Sequence, residues 1–179
     1  MERELKKVDE KKIVDVLDAY FSWKKSSELI KNLNGRASNF SEAISERLVC
    51  YINNFSLATE EGSYDAISID GKTIQIKATS KFNDDLSSFG PRSQFDYLHF
   101  ARFDINKDEV WLYNINKGSL DEVIINKEKN ETFLEQQKQG RRPRLSIIKE
   151  FVNKYQLEPY KKVNLHELYK FCHEKTKNS

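Results

Sequence analysis

The sequence predicts an α/β fold of the α+β kind, in which helices flank a central mixed β-sheet. Apolar residues recur at helical spacing at both ends of the chain, whereas the middle carries short Ile-rich and aromatic runs separated by turn residues. The chain has 179 residues, which is a common size for one domain and long enough to bury a substantial core. We therefore expect one domain with its sheet in the middle of the sequence.

Two helices are predicted first. The first spans residues 8–33, because apolar residues recur every three or four positions until Asn34-Gly35 ends the pattern. The second spans residues 41–53, with Ser41 as its N-cap. The side chains expected to be buried are Val8, Ile13, Val16, Leu17, Tyr20, Phe21, Leu29 and Ile30 in the first helix, and Ala43, Ile44, Leu48, Tyr51 and Ile52 in the second.

Strands follow in the middle of the chain. Residues 64–78 contain two Ile-rich runs around Asp70-Gly71, which is a strong signal for a β-hairpin. Residues 84–89 are expected to form a loop, and residues 120–125 fit a helix and a strand equally well. The remaining predicted elements are strands at 97–103 and 110–115 and helices at 133–139, 146–155 and 165–174, with a break at residues 140–144.

Composition and charge exclude several classes of protein. Lys and Arg number 30 and Asp and Glu 28, so the net charge of +2 excludes a generic polybasic tail, but not a nucleic-acid enzyme, for which the position of charges matters more. The chain has no apolar run of about 18 residues and no apolar signal core. Cys50 and Cys172 lie too far apart in sequence for a zinc knuckle. We expect a cytoplasmic protein without a membrane partner.

The predicted hairpin carries Asp65, Gln75 and Lys77. Gln75 and Lys77 share one face of their strand because side chains alternate. A two-residue turn would put Asp65 on the other face, whereas a three-residue turn over 70–72 would set it opposite Lys77. Because three-residue hairpins place Gly in the left-handed conformation and Gly71 is close to that position, we predict the three-residue register or a compensating bulge.

Such a trio has the chemistry for phosphodiester hydrolysis. A carboxylate and an amide oxygen can hold Mg²⁺, which polarises a phosphate and acidifies a bound water, while a lysine orients that water or stabilises negative charge. Glu46 or Glu42 of the preceding helix could add a carboxylate. The alternative is an exposed ion pair of little weight between Asp65 and Lys77. Apolar neighbours favour an interior strand, where a lysine needs a reason.

Four stretches resemble the PD-(D/E)XK nucleases, and among them the small type II restriction endonucleases that cut a short, GC-rich, interrupted palindrome of the GCNGC kind. They are residues 33–46, 74–80, 85–92 and 131–147. The resemblance implies a restriction-endonuclease-like core, with a central mixed sheet flanked by helices, and Mg²⁺ as the cofactor.

The resemblance also implies the roles of the site residues. Asp65 matches the metal-binding aspartate, Gln75 the second acidic position and Lys77 the lysine, while Glu46, with Glu42 as the second choice, matches a helix glutamate that serves the metal. Tyr64 stands where the family has Pro. Gln75 replaces Asp or Glu and removes one negative charge from the metal shell, which leaves one-metal and two-metal chemistry both open.

Residues 136–149, here called the basic segment, contain no acidic residue and five basic ones, Lys138, Arg141, Arg142, Arg144 and Lys149. Arg binds guanine O6 and N7 in the major groove with two hydrogen bonds. Together with the resemblance, this predicts DNA contacts by Arg141, Arg142 and Arg144, at least one of them to a guanine, supported by Lys138, Gln136, Gln137 and Gln139. The alternative is a solvated loop that binds phosphates without reading sequence. Arg92 is a second candidate for a phosphate contact.

The leading hypothesis is a Mg²⁺-dependent type II restriction endonuclease acting on double-stranded DNA. The alternatives are a structure-specific or repair nuclease of the same fold, and a DNA-binding module whose metal site is lost through Gln75. A palindromic target implies a homodimer, and a restriction system implies a cognate DNA methyltransferase. We expect a single nuclease domain over 1–179, made of an N-terminal helix (1–34), a catalytic and DNA-reading core (35–150) and a C-terminal helical extension (151–179).

Overall fold

A computed structural model describes residues 4–36, 39–58 and 62–178; residues 37 and 38 of the first resembling stretch lie outside them. A seven-stranded sheet forms the centre, in the order β1-β2-β3-β4-β6-β7-β11, and two-stranded ribbons are formed by β5 with β10 and by β8 with β9. The strands are β1 Leu5–Lys7, β2 Ser56–Ala58, β3 Ala66–Ile67, β4 Thr73–Thr79, β5 Ser87–Ser88, β6 Tyr97–Asp104, β7 Glu109–Asn116, β8 Ile124–Asn126, β9 Glu131–Thr132, β10 Arg144–Leu145 and β11 Lys161–Asn164.

The central sheet is mixed, as predicted. β4 and β6 run parallel, and the other neighbouring strands of the sheet are antiparallel. The predicted strands 97–103 and 110–115 are present as β6 and β7, each slightly longer than expected. The parallel β4–β6 pair requires the chain to cross over between the two strands, and residues 80–96, which include β5, make this crossing without a helix.

Helices cover the sheet as predicted, but the N-terminal region 1–34 also contains β1 and the C-terminal region 151–179 also contains β11, because each segment pairs with the sheet and forms one of its edges. The helices are α1 Glu10–Asn32, α2 Glu42–Asn53, α3 Lys117–Asp121, α4 Phe133–Lys138, a π-helix Ile148–Asn153, and α5 Leu165–Lys177. The helix predicted at 146–155 is the shorter π-helix.

α1 ends at the predicted place, because Asn34 adopts the left-handed conformation (φ 57°) and the Gly35 N–H donates to Ile30 O (2.9 Å). Ser41 occupies the N-cap position of α2 without a side-chain bond to the helix. None of the helices in the described part of the chain has the length and apolarity needed to cross a bilayer.

Two apolar clusters lie on opposite faces of the sheet. The first packs α1, α2 and α5 against one face, and the second packs α3, α4 and the π-helix against the other. β6 contributes to both, because Ala101 and Phe103 belong to the first cluster and Leu98 and Phe100 to the second. The strand that carries Gln75 and Lys77 therefore lies between two layers of helices.

Some details differ from the sequence-based expectations. Leu29 is 56% exposed and Ala43 is exposed, because the buried stripe of α1 continues through Ser27 and that of α2 through Ser45. The loop expected at 84–89 contains β5. The ambiguous residues 120–125 divide between the end of α3 and the start of β8.

Asp108 holds α1 and α5 to the turn between β6 and β7. Its carboxylate accepts hydrogen bonds from the Tyr20 hydroxyl (2.9 Å) and the Lys24 ammonium (2.8 Å), and its Oδ2 lies 3.0 Å from His166 Nε2. The Leu165 N–H donates to Asp108 O (2.8 Å) at the start of α5. The first and last helices are thereby fixed to one turn of the central sheet.

Candidate active site

The hairpin of β3 and β4 carries the predicted catalytic residues. Its turn has three residues, as predicted, but covers 69–71 instead of 70–72. Gly71 takes the left-handed position (φ 81°). The shift has a local cause: Ser68 N–H donates to Lys72 O (2.9 Å), and the Ser68 hydroxyl accepts from Lys72 N–H (3.0 Å). These bonds close the turn one residue earlier than expected.

A β-bulge turns Asp65 toward β4. The Asp65 N–H donates to Ile74 O (2.8 Å), although Ile74 is also the ladder partner of Ala66, so two consecutive residues face one. The Asp65 carboxylate accepts hydrogen bonds from Ile76 N–H (2.6 Å) and from the Gln75 side-chain amide. Asp65 and Gln75 are therefore in contact, and the predicted alignment of Asp65 opposite Lys77 in the ladder is wrong.

Lys77 nevertheless lies near Asp65. It follows Gln75 on the same face of β4, is half-buried, and its ammonium lies 5.8 Å from the centre of the Phe89 ring. Burial raises the pKa of Asp65, and the positive charge of Lys77 acts in the opposite direction. The bulge thus brings together the trio that the sequence predicts, by a route different from the predicted register.

Glu46 brings a second carboxylate to this trio from α2. Burial, followed by the negative charges of Asp65 and Glu42, raises the pKa of Glu46 to about 7. Glu42, one helical turn earlier, is exposed and also acts to raise the pKa of Asp65. Glu46 is the more buried of the two glutamates. Because its carboxylate and that of Asp65 repel each other, the site between α2 and β4 is suited to a cation.

A small cleft opens beside the trio. It has a volume of about 260 Å³ and lies between the start of α2 and the chain that follows β4. Glu42, Lys77 and Ser88 line it, together with Phe40, Ser45, Ile76, Ala78, Leu86 and Ser87. A group bound in this cleft would meet Lys77 on one side and an acidic residue of α2 on another.

The basic segment adjoins this cleft through the β5–β10 ribbon. Ser88, which lines the cleft, is paired with Arg144 of the basic segment, and Phe89 N–H donates to Pro143 O (3.1 Å). A phosphate at Lys77 would thus lie close to the chain that carries the arginines. This neighbourhood depends on pairing between residues more than fifty positions apart, which the sequence alone does not reveal.

The arginines of the basic segment differ in whether a carboxylate binds them. Arg141 donates to the Glu131 carboxylate (2.6 Å), beside which Gln139 also lies. Arg142 and Arg144 are exposed, and no ion pair within the described residues holds either of them. Lys138, Gln139 and Arg92 are exposed as well.

Comparison with known proteins identifies the family. A model of the Bsp6I restriction endonuclease family matches residues 8–154. The type II restriction enzyme Bsp6I of Bacillus sp. (strain RFL6) is 40% identical over 161 residues, which cover 89% of this chain and 91% of that enzyme. The chain belongs to the Bsp6I restriction endonuclease family.

Membership of the Bsp6I family confirms the fold class, the resemblance and the activity predicted from the sequence. The chain is a sequence-specific type II restriction endonuclease that acts on DNA, and enzymes of this type use a divalent metal. The family match includes the hairpin, α2 and the basic segment, whereas α5 lies beyond it.

The donor atoms at the Bsp6I-family site fit a hard divalent cation. Asp65 and Glu46 offer carboxylates and Gln75 an amide oxygen, and hard cations prefer oxygen ligands. Within the described residues, no three His, Cys, Asp or Glu side chains are grouped to hold a metal unaided. Gln75 now donates its amide N–H to Asp65, and rotating this amide by half a turn would offer its oxygen instead.

Two glutamines expected to serve DNA reading have a different environment. Gln136 and Gln137 are buried, and the Gln137 amide donates to Gly90 O (2.8 Å). Gln137 therefore fastens α4 to the turn after β5 and is not available to bases. Phe89 packs in the second apolar cluster against Phe133.

Two buried charged residues near the site were not anticipated from the sequence. Asp85 accepts hydrogen bonds from the segment after β10. Arg102 of β6 donates to Phe82 O (2.9 Å) and to the Tyr113 hydroxyl (3.0 Å). The partners of Asp85 after β10 are 61 to 63 residues away in sequence, and those of Arg102 are 11 and 20 residues away, so no local spacing could have indicated them.

Proposed function

We propose that this restriction endonuclease uses Mg²⁺ to hydrolyse double-stranded DNA at a short, GC-rich, interrupted palindrome of the GCNGC kind. The observation that carries the proposal is the proximity of Asp65, Glu46 and Lys77 beside a cleft whose lining residue Ser88 pairs with Arg144 of the basic segment. Mutual repulsion of two part-buried carboxylates costs free energy unless a cation or protons neutralise it.

Each side chain then has a distinct role. Asp65, Glu46 and the Gln75 amide oxygen would hold the cation, with Glu42 at the mouth of the cleft as an outer acidic group. A bound divalent cation polarises the phosphate and lowers the pKa of its water. Lys77 orients the attacking water and stabilises negative charge on the phosphate. Ile76 N–H keeps the Asp65 carboxylate turned toward β4.

For DNA recognition, we assign base contacts first to Arg142 and Arg144, because both are exposed and unpaired by carboxylates within the described residues. Arg141 can join them when it leaves Glu131. Lys138, Gln139 and Arg92 are proposed to contact phosphates. A guanine contact gives discrimination of about 1–3 kcal/mol against other bases.

The assembly and setting follow from the substrate. A palindromic target is met by a twofold homodimer in which each subunit cuts one strand. The proposal includes a cognate DNA methyltransferase in the same system, a cytoplasmic location, and one nuclease domain over residues 1–179.

Plasmid cleavage tests the proposal. A plasmid of known sequence is incubated with the protein and Mg²⁺, with and without EDTA, and the fragment ends are mapped. We expect discrete fragments only with Mg²⁺. Lys77→Ala should abolish cutting while DNA binding is retained, and Lys170→Ala, an exposed lysine on α5, should leave both unchanged.

Other outcomes would contradict the proposal in recognisable ways. Smeared products or resolution of branched DNA would indicate a structure-specific or repair nuclease. Binding without cutting at any Mg²⁺ concentration would indicate a non-catalytic module.

A further inference from the structure

Asp85 is a buried carboxylate between β4 and β5 that accepts four hydrogen bonds. Its Oδ1 accepts from the Ser146 hydroxyl (2.7 Å) and from Ile148 N–H (2.9 Å). Its Oδ2 accepts from the Ser87 hydroxyl (3.0 Å) and from Ile147 N–H (2.9 Å). Three of the four donors lie immediately after β10, at the end of the basic segment.

The chain on the other side of Asp85 is fixed to the catalytic strand. The Thr79 hydroxyl, at the end of β4, donates to Asp84 O (2.9 Å). Arg102 donates to Phe82 O (2.9 Å) and lies over the Phe82 ring, with 4.2 Å between guanidinium carbon and ring centre. The nine residues from Lys77 to Asp85 are thus held at three points, counting Asp85 itself.

We propose that Asp85 is a positioning residue that couples DNA reading by the basic segment to DNA cleavage at the active site around Lys77. The inference rests on the proposed function, since it takes the basic segment as the reading element. Asp85 ties residues 146–148 to the chain leaving β4, while β5 and β10 pair alongside. The arginines consequently stand at a fixed distance from Lys77, so that a correctly read site brings its phosphate to the cleft.

A carboxylate satisfies all four partners because each of them donates to it, and the two backbone N–H groups have no other role open to them. Asparagine of the same shape replaces one acceptor oxygen with an N–H₂ group, which faces one serine hydroxyl and one backbone N–H. The hydroxyl can rotate to accept from this group, whereas the backbone N–H cannot. Asp85→Asn should therefore release one backbone contact, that of Ile147 or that of Ile148, and weaken the other three by removing the charge.

Asp85→Asn is the main test, and Asp84→Asn is its matched control. Asp84 is exposed, and its backbone carbonyl rather than its side chain holds Thr79. The measurements are the kcat and KM for the cognate site, corrected for the active fraction, and the ratio of kcat/KM between that site and a site with one changed base. Ser146→Ala is a milder second variant that removes a single donor from Asp85 without changing a buried charge.

For Asp85→Asn we expect kcat to fall about tenfold and the cognate-to-changed-site ratio to fall about tenfold, because one buried backbone N–H loses its acceptor and the remaining hydrogen bonds lose the charge that strengthens them. Asp84→Asn should match wild type. Ser146→Ala should move both quantities in the same direction, by about threefold, and it carries the test if Asp85→Asn does not fold. An unchanged ratio per active molecule, with or without a loss of kcat, would overturn the coupling and leave Asp85 with a structural role alone.

Failure of the proposed function has a different signature. If the wild-type protein yields no discrete fragments, the proposed function fails irrespective of the variants. If wild type yields discrete fragments but Arg142→Ala and Arg144→Ala leave site choice unchanged, these arginines are not the reading element, and the coupling through Asp85 is overturned while the proposed cleavage activity stands.

Discussion

Replacing Glu46 by Gln should stabilise the metal-free protein at neutral and alkaline pH. The pKa of Glu46 rises from an ordinary value of 4.5 to about 7, through burial and the charges of Asp65 and Glu42. Between these values the folded protein binds more protons than the unfolded chain, so stability falls as the pH rises through this window. Each pKa unit corresponds to about 1.4 kcal/mol, which makes the full cost on the order of 3 kcal/mol above pH 7.

Urea denaturation in EDTA, repeated from pH 4 to pH 8.5, measures this cost. The free energy of unfolding of Glu46→Gln should exceed that of wild type by about 2–3 kcal/mol at pH 8.5 and by little at pH 4, where Glu46 is protonated in both states. Glu158→Gln, at an exposed position, is the control and should follow wild type. The same gain at both pH values would refute the assignment of the cost to a buried charge.

Mg²⁺ provides the second half of this experiment. A cation bound by Asp65 and Glu46 stabilises the folded state by mass action. Saturating Mg²⁺ should therefore stabilise the wild type at pH 8.5 and remove most of the difference in unfolding free energy between it and Glu46→Gln. Glu46→Gln should gain less from Mg²⁺ and should cut DNA slowly. Equal stabilisation of both proteins by Mg²⁺ would mean that Glu46 is not a ligand.

Three further outcomes are expected. Gln75→Glu adds a negative charge beside Asp65, so cleavage should reach half-maximal rate at a lower Mg²⁺ concentration, while the metal-free protein loses about 1–2 kcal/mol at pH 8. Burial opposes ionisation of Asp108, but Lys24, Tyr20 and His166 hold its pKa below the ordinary value. Asp108→Asn should therefore lower the free energy of unfolding by about 2 kcal/mol near neutral pH, and this difference from wild type should vanish as acid protonates Asp108. A pH-independent cost in urea titrations would argue against this. Arg142→Ala should relax site choice in fragment mapping more than Arg141→Ala, which loses a contact already shared with Glu131.

The fold follows closely from the sequence where periodicity is strong. The apolar and aromatic runs at 97–103 and 110–115 predict β6 and β7, because β6 is buried along almost its whole length and β7 along most of residues 110–115. Asn34 marks the end of α1 because it tolerates the left-handed conformation. The hairpin turn was displaced by one residue, because the bonds between Ser68 and Lys72 compete with those of the expected turn. Residue patterns do not show which side-chain bond closes a turn.

The candidate site follows from the sequence only in part. Residue types indicate Asp65, Gln75 and Lys77. Helical spacing puts Glu42 and Glu46 on one face of α2, and only packing distinguishes the exposed Glu42 from the half-buried Glu46. Gln137 has the chemistry of a DNA contact and instead holds Gly90, forty-seven residues away in sequence. Long-range partners of this kind depend on the tertiary fold and leave no local signal.

The ion pair between Arg141 and Glu131 alters how many ions the enzyme exchanges when it binds DNA. An arginine that neutralises a phosphate displaces about one condensed counterion and steepens the fall of affinity with salt. Arg141 is already neutralised by Glu131, so moving it to a phosphate leaves Glu131 to take up a cation and the net exchange is close to zero. The salt dependence of DNA binding should therefore correspond to four positive charges in the basic segment, although the segment contains five basic residues.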